Sequence, residues 1–133
     1  MRRVFSLLTL VGVACAPRNY HREVSSTVPN GRDVMQCALA EARRFGYEIR
    51  ENDPQEGTSL AQRPLASAGD SPARFDLLTF EFVSETTSPT TFRVLAVTLV
   101  HGGNGREPHY LEPTVNALAD QGRVVSSCVQ RGD

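Results

Sequence analysis

The amino-acid sequence predicts an α+β fold in which two helices lie on one face of a four-stranded antiparallel sheet. Three features of the 133-residue chain lead to this expectation: an alanine-rich stretch with apolar residues at helical spacing, four strand-like stretches separated by turn-forming residues, and a second helical stripe near the C-terminus. The element order is therefore α-β-β-β-β-α. Because neighbouring strands with short connections run antiparallel, the last helix is expected to run opposite to the first.

The first helix is predicted over residues 33–45, which read DVMQCALAEARRF and are rich in good helix formers. Their apolar members form one stripe at helical spacing, namely Val34, Met35, Ala38, Leu39, Ala42 and Phe45. Gly46, which tolerates a positive φ, is expected to end this helix. Upstream, residues 21–28 have some strand propensity, so an extra edge strand before the helix is an alternative to a tether.

Four strands are predicted in the middle of the chain by period-two alternation and by the turn residues that bound them. They cover residues 47–51, 58–63, 75–83 and 91–100. The connections over residues 52–57, 64–72 and 84–90 are rich in turn-forming and small polar residues. The last strand is apolar on both faces, which is typical of a central or covered position.

A loop and then a second helix are predicted after the strands. Residues 101–110 contain three glycines and a proline and predict a loop. Beyond it, an apolar stripe with alternating spacings of three and four predicts the helix, through Val115, Leu118, Gly122, Val125 and Val129. Gly122 costs a helix about 1 kcal/mol relative to alanine, so a break there with residues 123–129 as a short strand is the alternative.

The three cysteines indicate one disulfide and one cysteine outside it. The predicted topology places the start of the first helix beside the end of the last, and Cys37 and Cys128 lie near those two positions. A bridge between them would close a loop of nearly the whole domain, worth up to about 4–5 kcal/mol in the chain-entropy model. Two separately buried thiols, as in a cytosolic protein, are the alternative.

The N-terminal residues 1–14 have the form of an export signal. Arg2 and Arg3 precede an apolar run over residues 4–14 that is too short to span a bilayer, for which about 20 residues are needed. The end of this run, Gly12-Val13-Ala14-Cys15, resembles the lipobox of bacterial lipoproteins, although leucine is usual where Gly12 stands. The resemblance implies cleavage before Cys15 and attachment of acyl chains such as palmitate to it. Cleavage after Ala16 and plain secretion are the alternative.

The expected organisation is thus a signal peptide over residues 1–14, a polar tether over residues 15–32 and one α+β domain over residues 33–133. We expect the protein in the bacterial cell envelope, lipid-anchored to a membrane and facing the periplasm or the exterior; a soluble secreted or periplasmic protein is the alternative. Loss of the signal takes the net charge from −1 to −3, because it removes Arg2 and Arg3. This charge does not favour nucleic acid as a partner.

A run from Cys37 to Arg63 resembles a pattern of small bacterial envelope lipoprotein domains of unknown function. The pattern combines the segment Arg43-Arg44-Phe45-Gly46-Tyr47-Glu48-Ile49 with Asp53, Gly57 and Arg63. Domains with a helix-grip outline in the outer-membrane assembly lipoproteins share it. The resemblance covers about 30 residues and implies a helix stop, a strand, a turn and a second strand; it implies no reaction.

Candidate chemical groups are few. His101 and His109, with Glu107 and Glu112 nearby, have the ligand types that suit zinc, but their spacing matches no metal motif. His101-Gly102-Gly103 resembles the oxyanion loop of esterases, yet the chain has no G-x-S-x-G element to accompany it. The remaining acidic candidates are expected to face water or cap backbone amides at turns, namely Asp53, Glu56, Asp70 and Asp76. No catalytic, cofactor-binding or metal-binding residue is predicted.

The expected function is that of a non-enzymatic, membrane-anchored envelope lipoprotein with a protein-interaction or structural role. Its partners would be the lipid bilayer, through the acyl anchor at Cys15, and another envelope protein. The interaction surface would be a sheet face that the helices leave uncovered, with Val94 and Ala96 in it. A periplasmic small-ligand carrier is the first alternative, and a metal-dependent enzyme that uses the loop between His101 and His109 is a less favoured one.

Overall fold

The computed structural model describes residues 20–66, 72–83, 90–101 and 107–130, and these form a six-stranded antiparallel sheet with two helices. In chain order the elements are β1 (Arg22–Val28), α1 (Gly31–Arg44), β2 (Glu48–Asp53), β3 (Thr58–Pro64), β4 (Arg74–Val83), β5 (Thr90–Val100), β6 (His109–Leu111) and α2 (Val115–Val124). A single π-helical turn, Val125–Val129, continues α2.

The predicted four-stranded sheet is wrong, because β1 and β6 both join the sheet. β1 is the edge strand that was the alternative to a tether before the first helix. β6 overlaps the end of the segment expected to be a loop, and with three residues it is too short to show an alternating pattern. Both strands pair with the same edge of β5: β1 along residues 90–96 and β6 along residues 98–100. The edge of β5 is long enough for both because β5 has 11 residues.

The strand order is β1-β5-β4-β3-β2, and β6 pairs with the same edge of β5 as β1 does. The connection from β1 to β2 therefore joins the two edges of the sheet, and α1 crosses one face to make it. α2 packs on the same face, against β4 and β5. The core lies between the two helices and this face, and its largest fully buried apolar side chains are Phe80, Phe92, Leu78, Val28, Val94 and Val124.

The two faces of β5 are both apolar, but only one of them is covered by helices. Val94 and Ala96 are fully buried in the core cluster. The expectation that they belong to an uncovered patch is therefore wrong. The face that the helices leave uncovered carries Leu95, Val97 and Leu99 instead, since side chains alternate along a strand. On this face Leu95 and Leu99 are half-buried, whereas Val97 is buried. The period-two pattern of β5 could not show which face of the strand is covered by the helices, because both sets of alternate residues are apolar.

Helix α1 agrees with its prediction. It begins at Gly31 because the side chain of Asn30 accepts hydrogen bonds from the backbone N–H groups of Arg32 and Asp33. It ends where Gly46 adopts a φ of 88°. Five of the six predicted stripe residues are buried, namely Val34, Met35, Ala38, Leu39 and Ala42.

Helix α2 runs through Gly122 without a break, so the alternative of a strand over residues 123–129 is wrong. The predicted apolar stripe is also wrong in its first members: Val115 is 82% exposed and Leu118 is 39% exposed. The buried face of α2 carries Ala117, Asp120, Gln121 and Val124. Two polar residues can lie on it because both have partners, as described below for Asp120 and for Gln121.

The predicted disulfide between Cys37 and Cys128 is confirmed. It joins α1 to the π-helical turn, and the two Cα atoms are 5.6 Å apart. The turn itself is closed by a hydrogen bond that the N–H of Gln130 donates to the carbonyl of Val125, over 3.2 Å. None of the helices in the described part of the chain is both long and apolar enough to cross a membrane.

The substitution Gly122→Ala is expected to stabilise the protein by up to about 1 kcal/mol, because alanine has the higher helix propensity and a Cβ added at Gly122 meets no atom within 4 Å. Gly31→Ala is the matched control. There the added Cβ would lie 2.7 Å from the ring of Phe82, so this variant should be less stable than the wild type. Urea unfolding of the two variants and the wild type measures both effects. A destabilised Gly122→Ala variant would show that α2 does not continue through this position.

Candidate functional site

A cluster of polar side chains lies between α2 and the sheet, and we call Tyr47, Arg63, Asp76, Thr114 and Asp120 the polar cluster. Arg63 and Asp76 face each other across β3 and β4. Tyr47 follows the end of α1, Thr114 caps the start of α2, and Asp120 lies one and a half turns into α2. The cluster therefore joins both helices to two central strands.

Arg63 is the centre of the polar cluster. Its Nη2 atom donates to Oδ2 of Asp76 over 2.7 Å, and its Nη1 atom lies 2.8 Å from Oδ2 of Asp120. Nη1 also donates to the backbone carbonyl of Phe45 over 2.9 Å. The side chain of Asp76 is fully buried and that of Asp120 nearly so, which makes these ion pairs largely shielded from water.

Tyr47 completes the contacts of Asp120. Its hydroxyl donates to Oδ2 of Asp120 over 3.0 Å, and the guanidinium of Arg63 lies 4.3 Å from the centre of its ring. Burial raises the pKa of Tyr47 above its usual range, and the charge of Asp120 and the hydrogen bond to it raise it further, although Arg63 lowers it. The phenol therefore stays protonated and remains a hydrogen-bond donor.

Thr114 links the start of α2 to the same cluster. Its hydroxyl donates to Oδ1 of Asp76 over 2.8 Å and accepts a hydrogen bond from the backbone N–H of Ala117 over 3.1 Å. The second contact is a helix N-cap. Asp76 thus has a partner for each of its oxygens. Within the described residues, the hydroxyl of Thr98 is the one buried side-chain polar atom without a hydrogen-bond partner.

A second polar contact of α2 reaches the sheet edge. The side-chain amide of Gln121 donates to the backbone carbonyls of Arg22, over 2.8 Å, and Val94, over 2.7 Å. It therefore ties α2 to β1 and β5 at once. The polar cluster and Gln121 therefore have their hydrogen-bonding groups satisfied within the domain. Together they hold α2 at a fixed position on the sheet.

An open depression of about 520 Å³ lies above the polar cluster, between the end of α1 and α2. Arg63 and Asp120 form its floor, and Asn116 and Arg123 lie at its side. Arg123 is exposed; it lies 3.9 Å from Asp120 and over the ring of Phe45, at 5.4 Å. Arg63 and Arg123 both have acidic and aromatic partners. Arg63 therefore brings no unpaired positive charge to the depression.

A groove of about 440 Å³ lies at the other end of α1, beside the turn between β2 and β3. Met35, Leu39 and Phe82 give it an apolar floor. Polar side chains surround the floor, among them Arg32, Gln36, Asn52, Gln55 and Ser59. The hydroxyl of Ser59 is directed to the Oδ1 atom of Asn52, over 2.8 Å. The groove is open to solvent along one side, and its lining is more apolar than that of the depression above the polar cluster.

The two histidines considered as metal ligands, His101 and His109, do not converge. His101 packs edge-on against Phe75, with ring centres 5.2 Å apart, on the sheet face that the helices leave uncovered. His109 faces Val100 across the ladder and therefore belongs to the other face. In the parts of the chain that the structure describes, no three His, Cys, Asp or Glu side chains are placed to hold a metal ion.

The other predicted site residues divide into three groups. Cys37 and Cys128 are joined as predicted. Cys15, Asp70, Gly102 and Gly103 lie outside the described residues. Asp53 caps the backbone N–H groups of Gln55 and Glu56, as expected for an acid at a turn, whereas Asp76 is a buried ion-pair partner rather than a solvated carboxylate.

Sequence reasoning missed the polar cluster, although one signal for it was present. Cys128 must face α1 to form the disulfide. Residues that precede it at successive helical steps of three or four positions therefore lie on the same face, namely Val124, Gln121, Asp120 and Ala117. Counting back from the cysteine would have placed Asp120 and Gln121 on the buried side. The apolar stripe that was chosen instead ran through Val115 and Leu118, which face solvent.

Comparison with protein-family models and with curated proteins finds no match for this chain. The arrangement of its own residues is therefore the basis for inferring what the domain does.

The substitution Arg63→Met is expected to lower the free energy of unfolding by about 3–5 kcal/mol, because it leaves the buried carboxylates of Asp76 and Asp120 without a cation. Arg44→Met is the matched control. Arg44 also forms an ion pair, at 3.0 Å with Glu41, but its side chain is 73% exposed, so its loss should have little effect. Chemical denaturation measures both variants. Similar, small losses in the two would contradict a structural role for the polar cluster.

Proposed function

We propose that this protein is a membrane-anchored lipoprotein of the bacterial cell envelope, and that its α+β domain has a non-enzymatic role in binding or supporting another envelope protein. The observation that carries the proposal is the disulfide between Cys37 and Cys128. It supports maturation in an oxidising compartment, since disulfides persist there and are rare in the cytosol.

The disulfide also leaves one cysteine available for the proposed acyl anchor. The chain has three cysteines, so pairing of Cys37 with Cys128 leaves Cys15 as the remaining one. Cys15 directly follows the apolar run of residues 4–14, in the lipobox-like sequence Gly12-Val13-Ala14-Cys15. A thiol at this position that is not needed for the disulfide is well suited to acylation.

A binding or structural role fits the polar cluster better than catalysis does. Arg63, Asp76 and Asp120 satisfy one another, and Tyr47 and Thr114 add hydrogen bonds to the two carboxylates. A catalytic group needs a donor, an acceptor or a charge that is free to interact with the substrate. The donors, acceptors and charges of these side chains are instead occupied by contacts within the domain. Partner recognition would instead use the uncovered sheet face, with Leu60 and Leu95 half-buried at its centre.

The anchor is tested by Cys15→Ala in the full chain, expressed in a bacterial host that processes lipoproteins. We expect this variant to carry no acyl chains and to leave the membrane fraction, because no described helix replaces the anchor. Intact-mass analysis and fractionation of membranes measure the two effects.

The matched control is the double variant Cys37→Ser with Cys128→Ser, which removes two cysteines but keeps Cys15. It should remain acylated and membrane-bound, even though it loses the disulfide. Unchanged membrane association of Cys15→Ala, or detachment of the double variant to the same extent, would contradict the proposed anchor.

A small-ligand carrier is the second candidate, and the groove beside the β2–β3 turn favours it. Its floor of Met35, Leu39 and Phe82 would accept an apolar body. Asp53 also lines the groove, but its Oδ1 atom accepts two backbone N–H groups of the turn, whereas Arg32 at the rim would suit an acidic head group. The ligand class would therefore be an amphipathic anion.

An anilinonaphthalene sulfonate probe, which has this character, tests the groove by fluorescence titration. The substitution Gln36→Phe should weaken binding, because Gln36 lines the groove and a larger ring there would fill it. Gln130→Phe, at an exposed position outside the groove, is the control and should bind the probe as the wild type does. Equal binding by both variants, or no binding by the wild type, would exclude the groove as the ligand site.

A further inference from the structure

The uncovered sheet face changes character from one end to the other. At the end where β1 begins, four residues form a row across β3, β4, β5 and β6, and we call them the proximal row: Pro64, Phe75, Leu99 and Tyr110. All four are apolar or aromatic. At the opposite end the corresponding row is Thr58, Glu81 and Arg93, which is polar and charged.

The proximal row is accessible and is bordered by aromatic rings. Tyr110 is 46% exposed, Pro64 is exposed, and Phe75 and Leu99 are half-buried. The ring of His21 lies against Tyr110, with centres 5.7 Å apart, and that of His101 lies against Phe75. Exposed apolar and aromatic side chains of this kind, gathered at one end of a domain, indicate a contact surface.

The proximal row also lies where the chain enters the domain. Tyr20 is the first described residue and β1 begins at Arg22, at the same end of the sheet as the row. Tyr20 is five positions after Cys15. Five residues span at most about 17–18 Å when fully extended. If Cys15 carries acyl chains, as proposed above, this end of the domain is thus held within that distance of the lipid.

We propose that the proximal row rests on the lipid bilayer at the level of the headgroups, with Tyr110 inserted among them. This inference rests on the proposed anchor at Cys15. Tyrosine is enriched at membrane–water interfaces because its ring is apolar and its hydroxyl is polar. Arg22, next to His21, is paired with Glu112 at 2.9 Å, so the charge of Arg22 is balanced. The charged row at the opposite end of the face points away from the membrane.

The absence of tryptophan from the sequence makes a direct test possible. Tyr110→Trp and Val83→Trp each introduce a single indole on the uncovered face. The two native side chains are almost equally exposed, at 46% and 48%, but Val83 lies at the opposite end of the sheet. Pro64→Trp provides a second reporter within the proximal row. Each full-length, lipidated variant is reconstituted in vesicles of phosphatidylethanolamine and phosphatidylglycerol, with brominated acyl chains in a fraction of the lipid.

The expected result is a shift of the Tyr110→Trp emission to shorter wavelength, quenching by the brominated lipid and loss of quenching by acrylamide in the water. Val83→Trp should keep its emission and stay accessible to acrylamide. If the lipidated protein binds vesicles but the two indoles behave alike, the proposed orientation is overturned while the anchor stands. Protein that carries no acyl chains and stays off the vesicles overturns the anchor and this inference with it.

Discussion

Arg63 occupies a position between two buried carboxylates, one on the neighbouring strand and one on helix α2. A guanidinium is suited to this place because its planar fork can donate to several acceptors at once and it keeps its charge when buried. Burial alone lowers the pKa of Arg63, yet the hydrogen bond to Asp76 and the neighbouring negative charges raise it overall. The position of α2 depends on this arrangement, since the helix presents an acid to the sheet where an apolar residue would be usual.

Helix α2 is held by directional contacts along its whole length. Thr114 is bonded to Asp76 at its start, Asp120 to Arg63 and Tyr47 in its middle, and Gln121 to the backbone of β1 and β5. The disulfide at Cys128 then holds the turn that follows. Apolar packing tolerates small rotations of a helix, whereas these contacts require one register. In α1 the situation is reversed, because its buried face is apolar throughout.

This difference between the helices explains what could be predicted from the sequence. The end and the buried face of α1 follow from Gly46 and the apolar stripe, and both are visible in the sequence. The helix begins at Gly31, two residues before its predicted start, because Asn30 caps it. The face of α2 was misassigned because Asp120 and Gln121 are buried for reasons that lie in distant parts of the chain. The disulfide was predicted from an alternation of four strands that left out β6. The prediction holds because α2 continues in the direction of β6, from Asp76 beside Thr98 toward Val94. β6 itself was not predictable, because a strand of three residues shows no alternating pattern. The polar cluster combines residues from the segment after α1, from two strands, and from the start and middle of α2, so no local pattern reveals it.

The disulfide makes a closed covalent ring of everything from Cys37 to Cys128, which includes five of the six described strands. A single cut of the backbone anywhere in this ring would leave one molecule rather than two. The severed parts would remain at high effective concentration relative to each other, so the sheet could re-form without a search between separate pieces. Wherever the domain meets a protease, the bridge would therefore preserve its integrity after a cut as well as its stability before it.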